Sequence, residues 1–368
     1  MAACPDLRPE KGEARAIIME KSISDQSPGT ILALDIGGGT QDLLLWDGKG
    51  PLENSVQGIL PSPTVMVARK IEKATRKGKA IYLTGHLMGG GAASRAIYNH
   101  IRAGLPVYTQ EKPALTLNDS LEKVKGMGIQ VVEESPGGVV EIFMADVRIE
   151  ALNSLFEAFE ILPPDFFLVA VQDHGFSPQA SNRRFRFQQW ADFLNSNQPL
   201  ENLLYRVVPP HLTRMQAIQE VWPQAIVMDT GAAAILGALE DEKVAALGAA
   251  SKLIVNIGNE HTLAAWMVDG YLLGIYEQHT GLLSREKLLE DLNAFIRGEL
   301  SNERVLQEGG HGCLNQAPRK ANSPPIAVTG PRRGLLSGTQ VLMAAPFGNM
   351  MLSGCFGLLR AFRFSNYG

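Results

Sequence analysis

The stretch DIGGGTQD, residues 35–42, stands between two apolar runs, ILAL before it and LLLW after it. Such runs, joined through three glycines and closed by the turn pair Asp47-Gly48, predict a β-hairpin. A carboxylate flanks the glycines on each side. Glycine has no Cβ and reaches φ > 0 easily, so Gly37, Gly38 and Gly39 let the backbone approach an anion closely. A tight turn with a solvated Asp35 is the plainer reading of the same residues.

A second hairpin decides between them. LDIGGGTQ at 34–41 has a counterpart in VNIGNEHT at 255–262, and the strand that follows each ends in an Asp-Gly turn, the second at Asp269-Gly270. This echo predicts two half-molecules with related cores facing one another. A triphosphate needs many N–H donors and a divalent cation. Asp35, ending the first strand, is placed to hold Mg2+ or its waters. Gly258 and Asn259 would close on the phosphates from the opposite side, and Thr40 either adds a hydroxyl to phosphate or fills its own turn.

The 368 residues leave room for about two domains. Residues 1–29 are polar and lack an apolar signal core, which predicts a disordered lead-in. A first domain is expected over 30–240, interrupted at 65–134 by alternating helix and strand signals that read as a small α/β insertion. A second domain is expected over 241–368. Strands are also predicted at 139–147, 166–171, 206–208 and 225–228, a Gly/Pro-rich mobile loop at 309–325, and helix over 340–362. The net charge of −4 provides no nucleic-acid footprint. No apolar run reaches the roughly 18 residues of a membrane span, so the expected location is the cytosol.

These motifs together resemble the actin/sugar kinase/DnaK-type chaperone superfamily, whose members clamp ATP between two such domains. DIGGGTQDLLLWDG is similar to its first phosphate motif and NIGNEHTLAAW to its second. VMDTGAAAILGAL (227–239) and LSGCFGLLRAF (352–362) resemble the interdomain helices. IAVTGPRRGLL (326–336) resembles the adenosine motif, and VAVQDHGFSPQASNRRFRFQQW (169–190) the strand, loop and helix that begin at the same point of the actin domain. The resemblance implies an α/β fold of two ribonuclease-H-like (actin-like ATPase) domains, with ATP and Mg2+ in the interdomain cleft. It places Gly330 and Arg332 at the adenosine end. Asn256 stands where the second motif usually has Asp, and an amide holds a metal-bound water less firmly, which implies slow hydrolysis. The implied functions are an ATP-driven switch acting on a partner protein, or a kinase for a small sugar or acid.

More narrowly, the chain resembles a branch often labelled "putative pyruvate formate-lyase activating enzyme". Radical activation by a local cluster motif would need three closely spaced cysteines. Cys4, Cys313 and Cys355 are far apart.

Further polar residues fall at predicted strand ends, where open α/β sheets place their sites. Asp229 either orients an attacking water or caps the helix after it. Asp173 is a candidate general base and His174 a phosphate or substrate ligand, with a polar turn as the alternative. Thr84-Gly85-His86 with Gly89–Gly91 forms another glycine-rich turn, suited to an anion or to close packing. His100, His211 and His279 show no ligand spacing and read as structural or solvent-facing. His311 beside Cys313 falls short of a metal's ligand set.

Overall fold

The computed structural model describes residues 29–247, 251–316 and 323–367. Residues 1–28 of the expected lead-in, with Cys4, and 317–322 of the expected loop lie outside the described residues.

The first domain is built on β1 (Ile31–Ile36), β2 (Thr40–Trp46), β3 (Val56–Pro61), β8 (Phe166–Val171) and β9 (Ile226–Asp229), with β4–β7 in an insertion. Its sheet runs β3-β2-β1-β8-β9. β2 is antiparallel to both neighbours, and β1, β8 and β9 are parallel. The second domain repeats the plan with β10 (Ser251–Ile257), β11 (His261–Val268), β12 (Tyr271–His279) and β14 (Ile326–Thr329), extended at its edges by β13 (Gly312–Asn315) and β15 (Leu342–Met343). In both, the first three strands form an antiparallel meander and the first strand pairs in parallel with the next. This order, occurring twice, is the duplicated ribonuclease-H-like architecture of actin-like ATPases.

Helices cover both faces of the first sheet, so β1 is apolar from Ile31 to Leu34, before Asp35 at the cleft end. Ile31 and Ala33 enter one core, while Leu32, Leu34 and Ile36 enter another. The first of these cores also holds Ile254 and Ala327 of the second sheet, so one apolar body spans both domains. Helices Thr230–Ala238 and Ser353–Tyr367 pass through it. At their crossing, a Cβ on Gly237 would overlap the Ser353 carbonyl, and one on Gly357 the Ala233 carbonyl. Small residues set this close approach.

The insertion contains β4 (Ile81–Gly85), β5 (Val107–Thr109), β6 (Gln130–Val131) and β7 (Val140–Met144), ordered β6-β5-β4-β7 and all parallel. It therefore continues beyond 134, because Ile142 and Met144 pack with Ile81, Leu83 and Val107. Three other expectations change. Residues 206–208 form no strand; Tyr205 alone bridges to Val227. Part of the expected 309–325 loop is β13, paired with β12. The last helix starts at Ser353, since Pro346 and a left-handed Phe347 (φ 49°) interrupt any earlier helix.

Candidate functional site

The parallel strands β1, β8 and β9 end at one edge of their sheet, facing the matching edge of β10 and β14. Each domain offers a turn there. Gly37 N donates to Thr40 O at 2.9 Å, and Gly258 N donates to His261 O at 2.9 Å. None of Gly37, Gly38, Gly39 or Gly258 has positive φ. Their requirement is room: a Cβ on Gly38 would overlap Cγ of Glu260, and one on Gly39 would lie 2.6 Å from Asn259 Nδ2. The turns are jaws in contact. Arg95, on the insertion helix Gly91–Arg102, holds Glu260 at 3.3 Å. A small cavity of about 80 Å³ remains beside them, lined by Gly37, Gly38, Asn256, Gly258 and Asn259.

Behind the first turn, Asp35 and Asp42 face each other across β1 and β2. Thr230 Oγ1 donates to Asp35 Oδ1 at 2.5 Å. Burial, reinforced by the nearby Asp229 charge, pushes the Asp35 carboxyl up to about 7. Burial and the Asp35 charge push Asp42 up to about 8. Asp42 Oδ1 is buried without a partner. Paired carboxylates with an orphaned oxygen fit a hard divalent cation such as Mg2+, which takes oxygen ligands.

Asp229 and Asp173 have their oxygens engaged. Asp229 Oδ1 caps its helix, accepting from Gly231 N at 2.9 Å and Ala232 N at 3.2 Å, and Oδ2 accepts from Arg186 at 2.8 Å. Asp173 accepts from Gly175 N at 2.8 Å and Met215 N at 3.0 Å. Arg186 also donates to Glu277 on β12 at 2.7 Å and to the Asp173 carbonyl at 2.9 Å. Gln172 adds a 2.6 Å bond to Glu277. Burial alone would raise Glu277, but Arg186 above all holds its carboxyl well below the usual range. This buried ion group ties the domains together.

Gly330, at φ +95°, packs against the end of β10, where a Cβ would lie 2.5 Å from Asn256 Oδ1. Arg332 N donates to Ile257 O at 3.0 Å, and its residue is exposed. Neither lines the cavities at the jaws.

His174 leaves the end of β8 and stacks on His311, with ring centroids 4.9 Å apart. His261 and His279 lie 4.7 and 4.8 Å from the same ring, and 4.7 Å from each other. Burial holds His174 well below its ordinary value, lowers His279 and drives His311 down to about 3. These three rings therefore favour the neutral form. Sequence spacing conceals this grouping, because His261 and His279 start and end paired strands while His311 precedes β13. The available signal was their common position at strand ends on the cleft side.

A larger cavity of about 380 Å³ opens above these rings, between the insertion and both domains. Its lining includes Gly89, Thr116, Asp173, His174, Arg214 and His261. Arg214 is held by Asp146 at 2.7 Å, and Gly89 N donates to the same carboxylate at 3.2 Å. Of the TGH turn, Gly85 N donates to Gln110 at 3.1 Å and His86 meets Glu220 at 3.0 Å. Cys313 and Cys355 are buried in separate cores, so the described residues provide no iron–sulfur ligand set.

Among curated proteins none matches the chain. Solved structures to which it is similar include an exopolyphosphatase-like protein (9% identity, TM-score 0.31), of which it covers 66% with 83% of its own length. A "protein with actin-like ATPase fold and unknown function" from Bacteroides thetaiotaomicron is 10% identical at TM-score 0.35, covering 92% of this chain and 99% of that one. The ethanolamine utilization protein EutJ from Carboxydothermus hydrogenoformans is 10% identical at 0.31, covering 91% and 92%. The fold assignment rests on the strand order described above and not on these scores. The family model described as "Putative pyruvate format-lyase activating enzyme (DUF1786)" matches residues 88–335, most of the chain, and the chain belongs to that family.

Proposed function

We propose that this chain binds ATP with Mg2+ between its two glycine turns and acts as a slow ATPase switch on a partner protein. The observation that carries the reading is the contact between the jaws. Glu260 and Asn259 press directly on Gly38 and Gly39. An incoming anion must displace the Glu260 carboxylate, so occupancy and domain position are coupled.

In this reading Asp35, supported by Asp42, holds the cation. Gly37, Gly38, Gly39, Thr40, Gly258 and Asn259 face the phosphates, and Gly330 and Arg332 the adenosine end. Bound Mg2+ supplies charge neutralisation, and the remaining task of the protein is positioning. Asp173 and Asp229 act as positioning residues, because their oxygens already serve backbone amides and Arg186. Without a base of its own at the attacking water, turnover is slow.

The 380 Å³ cavity favours a second reading, transfer of the γ-phosphate to a small molecule bound against the insertion, with His174 as a substrate ligand. Calorimetry with Mg·ATP tests both. Binding is expected, and Asp35→Ala should weaken it on the order of a hundredfold, about 2.7 kcal/mol. Absence of binding to well-folded protein overturns the proposal. ADP release that rises strongly with one member of a sugar and acid panel selects the kinase; unchanged slow release selects the switch.

A further inference from the structure

We infer that His174, His261 and His311 form a binding site for one divalent transition-metal ion of the zinc and cobalt type, joining the two domains across the cleft. One ligand atom from each ring lies within 4.8 Å of those of the other two. Nitrogens around a tetrahedral ion stand about 3.3 Å apart, given metal–nitrogen bonds near 2.0–2.1 Å, so small ring rotations close the set.

A second observation, independent of spacing, points to a ligand. His311 is 1% exposed, and neither of its ring nitrogens has a hydrogen-bond partner. A buried imidazole left in that state loses its hydration with nothing in return. Coordination gives one nitrogen a partner.

The surroundings have the character of a metal site's outer shell. Glu277 Oε1 lies 3.2 Å from His261 Nδ1 without making a hydrogen bond to it, so a carboxylate stands beside a second ring nitrogen that lacks a partner. Glu277 is itself fixed by Arg186 and Gln172. Arg186 is matched by two carboxylates, Asp229 and Glu277, so the ion group beside the rings carries one carboxylate more than it has cations. Imidazole nitrogen selects zinc, cobalt, nickel or iron over Mg2+, which prefers oxygen.

The site differs from a closed structural one. Among the three ligands, His174 and His261 line the 380 Å³ cavity, and His279 borders it too. An ion held by three protein nitrogens keeps a fourth position open toward that cavity. The ligand expected there is an oxygen donor, such as water or a carboxylate or phosphate oxygen of a bound molecule. His174 comes from the first domain and the other two from the second, so the ion would also fasten the closed cleft.

The test uses the full chain, stripped with chelator and titrated with Co2+ without nucleotide. The expected result is one ion per chain, with the intense visible bands of a low-coordinate cobalt site, unaffected by excess Mg2+. His174→Ala and His311→Ala should each weaken binding by roughly 10–100-fold or more, while His211→Ala, outside the cluster, retains it. Far-UV circular dichroism verifies folding, and His174→Ala, at a partly exposed position, stands if His311→Ala does not fold. Folded protein that takes up no more Co2+ than the His174→Ala/His311→Ala double variant overturns the inference. So does equal weakening by His211→Ala. Because no nucleotide is present, the outcome is independent of whether the glycine turns bind ATP.

Discussion

Asp35 and Asp42 face each other across the first hairpin; at the matching register of the second stand Asn256 and Leu263. The backbones agree, down to the N–H···O bond that closes each turn. The chemistry does not. The first turn has paired carboxylates behind it, suited to a hard cation. In the second, His261 occupies the place of Thr40, and the ionised Glu277 lies beside it. One scaffold, used twice, thus presents a carboxylate pair behind one turn and an imidazole at the other. Duplication fixes where side chains can meet across the cleft, and substitution at a few turn positions decides what they can hold.

The largest expected effect comes from breaking the link between the halves. Arg186→Leu leaves Asp229 and Glu277 buried without their cation, and should destabilise the protein by about 3–5 kcal/mol. Thermal and denaturant unfolding measure it. A loss within 1 kcal/mol, roughly that of an exposed pair, would show that the ion group does not bind the domains together.

Next is the carboxylate pair that distinguishes the jaws. Asp42 has its folded value pushed up to about 8 by burial and by Asp35. Between about pH 4 and pH 8 the folded chain keeps a proton that the unfolded chain has released. Stability therefore falls as pH rises through this window. Asp42→Asn should flatten the fall and leave the variant more stable than the parent near pH 8, by about 1–3 kcal/mol. Unfolding at about pH 5 and pH 8 checks the sign. Mg2+ should restore stability to the parent more at the higher pH, since binding must release the proton that burial keeps on Asp42. Parallel pH profiles for parent and variant would refute the assignment.

The hairpins were legible in the sequence because each is local, the duplicated order because the two motifs echo one another, and the pairing of the two crossing helices only through the resemblance. DIGGGTQD and NIGNEHT carry their turns within a few residues. The glycines were read as letting the backbone approach an anion through positive φ; their φ values are ordinary, and the neighbours that take the space are Glu260 and Asn259. The histidine group was not legible, since its members are brought together only by strand register and by the return of β13 to β12. Asp173 and Asp229 looked available because sequence cannot show that Met215 N, Gly175 N and Arg186 already occupy them.

Contact between the jaws gives a smaller and more specific effect. Gly38→Ala places a Cβ against Glu260 Cγ and should cost about 1–3 kcal/mol through overpacking. Adding Glu260→Ala removes the obstructing carbon, so the double variant should recover most of the loss. A coupling above about 0.5 kcal/mol in this cycle locates the two turns in contact in solution. Simple additivity would mean that they stand apart.

The smallest effect compares equivalent glycines at the start of each turn. A Cβ on Gly37 would lie 3.3 Å from Thr40 O, whereas one on Gly258 would lie 2.8 Å from His261 O. In both cases the neighbour is the turn's own carbonyl, which no second substitution can remove. Gly258→Ala should therefore cost up to about 1 kcal/mol more than Gly37→Ala, a difference within the range of single overpacking substitutions. Paired denaturant titrations resolve it. The reverse order would mean that the second turn, despite its bulkier Asn259 and Glu260, is the looser of the two, and that closure of the cleft is set by the first.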